Sequence, residues 1–67
     1  MKGMIAIRPS NGQRVQVLTE PFCTRTGIVG EDTVYVYSLV ISRLEDGDSI
    51  MIELGDFLYN YKLCLDT

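Results

Sequence analysis

The residues that could do chemistry in this chain gather in two places. Cys23 lies two positions from Arg25, and Glu45, Asp46 and Asp48 surround Gly47. A nearby cation stabilises a thiolate, the nucleophilic form of cysteine, so Cys23 is the candidate nucleophile. Nucleophilic catalysis also needs a base to take the proton. The chain has no His, and no base accompanies Cys23, so catalysis is not expected. Three carboxylates at one turn suit a hard cation, since calcium takes six to eight oxygens. The spaced Asp-x-Asp-x-Asp-Gly ladder is missing, however, and turn geometry accounts for Gly47, so the cluster reads as a solvated turn. Without His or a Cys-x-x-Cys motif, zinc and transition metals have almost no ligands to use. The expectation is a chain that is not an enzyme and carries neither cofactor nor metal.

Tyr35, Tyr37, Tyr59 and Tyr61 are the other conspicuous set. Aromatics on a sheet can form a stacking platform for single-stranded nucleic acid. Lys2, Arg8, Arg14, Arg25, Arg43 and Lys62 are scattered through a chain of net charge −3. Phosphate contacts call for clustered cations, so this balance argues against nucleic acid as a partner.

At 67 residues, with 46% hydrophobic content, the chain reads as one small β domain over 1–67. A chain of this size buries only about 60% of the surface its unfolded form exposes. No apolar run reaches the ~18 residues of a membrane helix, and the N-terminus lacks a secretory pattern. The expected location is the cytoplasm. There Cys23 and Cys64 would be free thiols, and the alternative is one disulfide between them.

The elements that position these groups follow from alternation and turn residues. Val34 to Leu65 reads as a three-stranded meander with turns at Asp46-Gly47 and Gly55-Asp56. An Asp-Gly type I′ turn pairs Arg43 with Ile50, Ile41 with Ile52 and Leu39 with Leu54. A Gly-Asp type II′ turn pairs Leu54 with Phe57, Ile52 with Tyr59 and Ile50 with Tyr61. One face then carries Tyr37, Leu39, Ile41, Ile50, Ile52, Leu54, Phe57, Tyr59, Tyr61 and Leu63 as core, with Tyr35 left near the surface. A one-turn helix over Asp56 to Tyr59, with Asp56 as its N-cap, is the rival to the last hairpin. The twelve-residue strand from Thr33 to Leu44 calls for a bend or bulge near Ser38.

Upstream, Met4 to Ile7 and Arg14 to Leu18 read as strands joined by a three-residue loop, Ser10-Asn11-Gly12. That loop pairs Ile7 with Val15 and Ile5 with Val17. Thr19 to Thr26 reads as a loop anchored by Phe22, followed by a short strand Gly27-Ile28-Val29-Gly30 and a turn at Glu31-Asp32.

Gly12-Gln13-Arg14-Val15-Gln16-Val17-Leu18, then Gly27-Ile28-Val29, then Val34-Tyr35-Val36 resembles the KOW-type motif of small SH3-like barrels. The resemblance covers roughly residues 12 to 36. The chain as a whole reads as all-β, a small antiparallel barrel or a highly twisted sheet of five to six strands with no substantial helix, and the resemblance implies that it is SH3-like. Members of this group bind ribosomal RNA, RNA polymerase or other proteins, and some are small accessory subunits. The loop Glu20 to Thr26 carries one cation where RNA-binding members carry several.

The reverse face of the meander carries the interaction hypothesis. Val36, Val40, Met51 and Leu58 lie there, rimmed by Ser38, Ser42, Glu53, Asn60 and Lys62. A sheet with one buried face has no need of so many apolar residues on the other. The leading expectation is a protein-binding module, either an accessory subunit or a small inhibitor, that engages another protein or a second copy of itself. The alternatives are nucleic-acid or ribosome binding through Arg14, Arg25 and Lys62, and acidic mimicry through Glu20, Glu31, Asp32, Glu45, Asp46 and Asp48.

Overall fold

The computed structural model describes residues 1–64, so Leu65, the expected end of the meander, lies outside the described residues. The elements are β1 (Ile5–Arg8), β2 (Gln13–Val17), β3 (Phe22–Val29), β4 (Asp32–Arg43), β5 (Ser49–Glu53), α1 (Leu54–Asn60) and β6 (Lys62–Leu63). They form one antiparallel sheet in the order β3-β4-β2-β1-β6, with β5 also paired to β4. The fold is all-β with one short helix, and the sheet is open and twisted. Among the described residues, no helix is long and apolar enough to cross a membrane.

The first hairpin turns through Pro9-Ser10-Asn11-Gly12 and pairs Ala6 with Val15, Ile5 with Gln16 and Ile7 with Arg14. The three-residue loop is thereby corrected to four. Because side chains alternate, a one-residue slip exchanges the faces. Ala6 therefore joins Val15 and Val17 in the core, and Ile5 and Ile7 turn to the reverse face. Gly12 sets this loop, with φ at 73° and its N–H bonded to Arg8 C=O at 2.7 Å. The β4–β5 turn has the same construction. Gly47 has φ at 78°, and its N–H bonds Arg43 C=O at 2.8 Å. In each loop the preceding Asn or Asp accepts from the next backbone N–H, Asn11 from Gln13 at 2.9 Å and Asp46 from Asp48 at 3.0 Å.

The second loop is thus Leu44-Glu45-Asp46-Gly47, not a two-residue Asp-Gly turn. It pairs Ile41 with Ile50 and Leu39 with Ile52. This is a slip of two residues from the expected register, which leaves every side chain on its expected face.

The last hairpin is replaced by α1, which begins earlier and runs longer than the rival one-turn helix. Its N-cap is Glu53, with no side-chain capping bond, and Asp56 lies inside the first turn. An acidic residue there suits the positive end of the helix dipole. The change of period rearranges the aromatics. Residues four apart share a helix face, so Phe57 and Tyr61 stack with ring centroids 5.3 Å apart, and Tyr59 is 89% exposed. The expected pairings Leu54–Phe57, Ile52–Tyr59 and Ile50–Tyr61 do not form. The helix exists because the chain must change edges: β5 flanks β4, whereas β6 pairs with β1.

Phe57 and Tyr61 close a core of Ala6, Val15, Val17, Leu39 and Ile41, with Met1, Ile52, Leu54 and Leu63 packed around it. Arg8 lies over the Tyr61 ring at 5.8 Å. Tyr37, expected in the core, is exposed.

Residues 19–26 are not one loop. β3 begins at Phe22, and Gly30 (φ 64°) with Glu31 makes the two-residue turn into β4. The join from β2 is held by Leu18 N–H to Val40 C=O at 2.8 Å and by Val40 N–H to the Thr19 hydroxyl at 3.2 Å. Thr19 thus supplies a side-chain acceptor for Val40 N–H where the chain leaves β2. The bulge lies on β3, between Cys23 and Arg25, while β4 runs continuously opposite it.

The outcome is elongated. The radius of gyration is 13.4 Å and the extents are 43 × 23 × 19 Å, against a radius of about 11 Å for a compact chain of this length. The excess comes from β3 and the first half of β4, a two-stranded ribbon that extends beyond the helix-covered body.

Candidate interaction face

The sheet has two sides, and register assigns each residue to one of them. On the α1 side lie Val15, Val17, Leu39, Ile41 and Ile52, continued along the ribbon by Tyr37, Tyr35 and Ile28. On the reverse side the rows follow the pairings. Val40 lies opposite Met51, with Leu18 on its other flank, and Ser38 lies between Phe22 and Glu53. Farther out, Val36 lies opposite Arg25, Val34 opposite Gly27 and Asp32 opposite Val29. No element among the described residues packs on this side. Met51 is 61% exposed, and Phe22, Val29, Val34 and Leu18 are exposed as well.

The expected site residues divide accordingly. Val36, Ser38, Val40, Met51 and Glu53 share this face. Lys62 is on the same side but at the far edge, opposite Ile7. Leu58 and Asn60 belong to α1, on the other side of the sheet; Leu58 is exposed, and the Asn60 amide donates to Asp56 C=O. Leu18, Phe22, Val29 and Val34 also lie on this face; from the sequence, Val34 is expected at the start of the meander and the other three outside it. For Phe22, Val29 and Val34 the signal is residue type, since Phe and Val favour strands. The alternation that marks a half-buried strand is missing because neither face of the ribbon is covered.

Polar groups organise the middle of the face. Ser38 is only 2% exposed, and its hydroxyl pairs with that of Thr24, the extra residue of the bulge, at 3.1 Å. The Thr24 hydroxyl also lies 3.3 Å from Val36 C=O. Arg25 reaches across to Glu53 at 2.6 Å, a solvent-exposed pair. The bulge therefore aims Thr24 and Arg25 at the boundary between ribbon and body.

The candidate chemical groups are engaged elsewhere. Arg43 lies 3.2 Å from Asp46 and 2.8 Å from Asp48, and these carboxylates, Asp46 foremost, push its pKa up. The acidic turn thus neutralises its own cation. Cys23 and Cys64 are free and exposed, and the Cys23 thiol lies 3.4 Å from Arg25 C=O, not from a base. Glu20 accepts from the Met1 ammonium at 3.0 Å and from Lys2 N–H at 3.2 Å, and the ammonium contact, with the backbone bond second, holds its carboxyl below the usual range. Arg14 and Lys62 flank Ile7 on the reverse side, while Arg25 is tied to Glu53. Between the two glycine turns lies a cleft of about 330 Å³ lined by Gly12, Arg14, Leu44 and Glu45. No family model, curated protein or solved structure matches the chain.

Proposed function

We propose that this chain is a non-enzymatic protein-binding module, an accessory subunit or small inhibitor, that docks a partner on the sheet face opposite α1. One observation carries the reading: Leu18, Val40, Met51, Phe22, Val36 and Val34 form a connected apolar surface that no described element covers. Contiguous exposed apolar surface with a polar border is the usual mark of a protein contact. Here Glu53, Arg25 and Ser49 supply polar groups at its margin. The return of β6 to β1 supports an SH3-like arrangement for the module. With Arg25 tied to Glu53, Arg14 and Lys62 beside Ile7 are the cations placed together on this side among the described residues, too small a cluster to favour nucleic acid over protein.

The test is Val40→Glu combined with Met51→Lys. Both side chains point away from the core, so the variant is expected to keep its circular dichroism spectrum and to lose its bound partners in a pull-down. If every partner and the oligomeric state are unchanged, the face is not the docking surface. Nucleic-acid binding would instead survive these substitutions and weaken steeply with salt.

A further inference from the structure

We infer that two copies of this chain pair antiparallel, edge to edge through β5, with Met51 on the two-fold axis. The inference concerns the backbone edge of β5 and stands independently of what docks on the sheet face. Hydrogen bonding fixes which backbone groups of β5 are free. Arg43 N–H donates to Asp48 C=O, and the register runs on without a break through Ile41–Ile50 and Leu39–Ile52. Hydrogen-bonded pairs recur at every second residue of an antiparallel ladder, so Ile50 and Ile52 turn their backbone groups toward β4. Ser49, Met51 and Glu53 turn theirs outward, where no strand lies beside them among the described residues.

The space beside this edge is open. After Glu53 the chain enters α1, which crosses the core side of the sheet to β6, and β6 pairs with β1 on the far side of β4 from β5. The helix therefore leads away from the edge. Natural sheets blunt their edges with Lys, Pro, inward charges or bulges. β3, the edge of the ribbon, has its bulge at Thr24, and Pro21 precedes it. Ser49-Ile50-Met51-Ile52-Glu53 has no such device, and its one charge, Glu53 at the strand end, is tied to Arg25. Ile50 shows what is missing. It lies opposite Ile41 on the core side, yet it is 51% exposed while Ile41 is 1% exposed.

The sequence of the edge selects the occupant. Ile50-Met51-Ile52 is a palindrome, and an antiparallel two-fold pairing matches residue i with j and j with i. Centred on Met51, it sets Met51 against Met51 of the second copy, Ile50 against Ile52 and Ser49 against Glu53. All three outward residues then exchange backbone hydrogen bonds, the two strand ends coincide, and no like charges oppose one another. Each Ile50 gains a β-branched cross-strand neighbour, a pairing that stabilises sheets. A centre at Ile50 would set Gly47, in the turn, opposite Glu53. A centre at Ile52 would set Gly55, in α1, opposite Ser49. Only the Met51 register uses the whole strand. It also joins the Val40–Met51 surfaces of the two copies into one.

The test is charge exchange at the axis, read by light scattering with size-exclusion chromatography across a dilution series. The wild-type chain is expected to reach twice its 7.5 kDa mass. Met51 is 61% exposed and points away from the core, so Met51→Lys and Met51→Glu are expected to fold. Each alone should be monomeric, because it opposes its own charge, and an equal mixture should recover the dimer mass. In a Cys23→Ser, Cys64→Ser background, Met51→Cys should cross-link on oxidation, since a hydrogen-bonded pair sets Cα atoms about 5.5 Å apart, within disulfide range. Ile50→Cys in that background should not, because it faces Ile52. A wild type monomeric at every concentration, dimers of the single-charge variants, a mixture that stays monomeric, or cross-linking at Ile50→Cys in place of Met51→Cys would each overturn the inference. Val40→Glu leaves the edge intact and is expected to remain dimeric while losing its docked protein, so failure of the docking face and failure of the β5 pairing are read in different variants.

Discussion

The helix-covered body and the β3–β4 ribbon are built from similar residues, yet they meet opposite fates. Leu39 and Ile41 in the second half of β4 are buried, whereas Val34, Tyr35 and Tyr37 in its first half are exposed on the same continuous strand. The difference lies in what covers them. Phe57 and Tyr61 close over Leu39 and Ile41, and nothing described closes over the ribbon. Strand propensity thus makes the sheet, but the crossing of α1 decides which part of it becomes core. An isolated two-stranded hairpin is marginal in water, so the ribbon depends on the body to anchor its base and retains apolar surface for contact.

The contrast can be broken most strongly at Phe57. Phe57→Ala should cost about 3–5 kcal/mol, a third or more of the roughly 3–10 kcal/mol available to a chain of this length. Tyr35→Ala, on the same β4 sheet system but in the ribbon, should change monomer stability by about 0.5 kcal/mol or less. Urea denaturation of both variants checks the pair, and comparable losses would remove the distinction.

The glycines sharpen it next. Gly47→Ala places a side chain at φ 78° and should destabilise by about 1–2 kcal/mol. Gly55 lies in α1 with open space around it, so Gly55→Ala should stabilise by about 0.5–1 kcal/mol. Thermal unfolding reads both signs.

Smaller still is the exposed pair that links ribbon to body. Glu53→Gln should cost less than about 1 kcal/mol, diminishing with salt. The smallest effect belongs to Glu20. Its folded pKa lies below its ordinary value, so its contribution is present above that ordinary value and fades as pH falls through the folded one. A carbon-detected NMR titration should find its midpoint below that of ordinary glutamates, and Glu20→Gln should flatten the acid limb of stability slightly.

Much of this was legible in the sequence, for reasons that particular residues make plain. β4 and its faces were readable because Leu39, Ile41, Ile50 and Ile52 alternate, and a two-residue slip does not disturb them. The first hairpin was misassigned because Ala6, the true core residue, is less apolar than Ile5 and Ile7 beside it. α1 was hidden because Phe57, Tyr59 and Tyr61 fit a strand period, while only Phe57 and Tyr61 fit a helical one. Only the need to carry the chain from the β5 edge to the β1 edge distinguishes them, and that is a property of topology. For the candidate face, Val36, Ser38, Val40, Met51 and Glu53 were readable. Phe22 and Thr24 were not, since an uncovered ribbon has no alternation to reveal it.

The central claim is that the helix-covered side of the body carries the stability, while the face opposite α1 and the ribbon are left open for contact. Residue-resolved amide hydrogen exchange on the full chain, in dilute and concentrated solution, tests it directly. The account predicts strong protection at Val15, Val17, Leu39 and Ile41 at every concentration, and weak protection of the Tyr35 amide, which faces an edge with no strand beside it among the described residues. A Tyr35 amide as protected in dilute solution as Ile41 would contradict it.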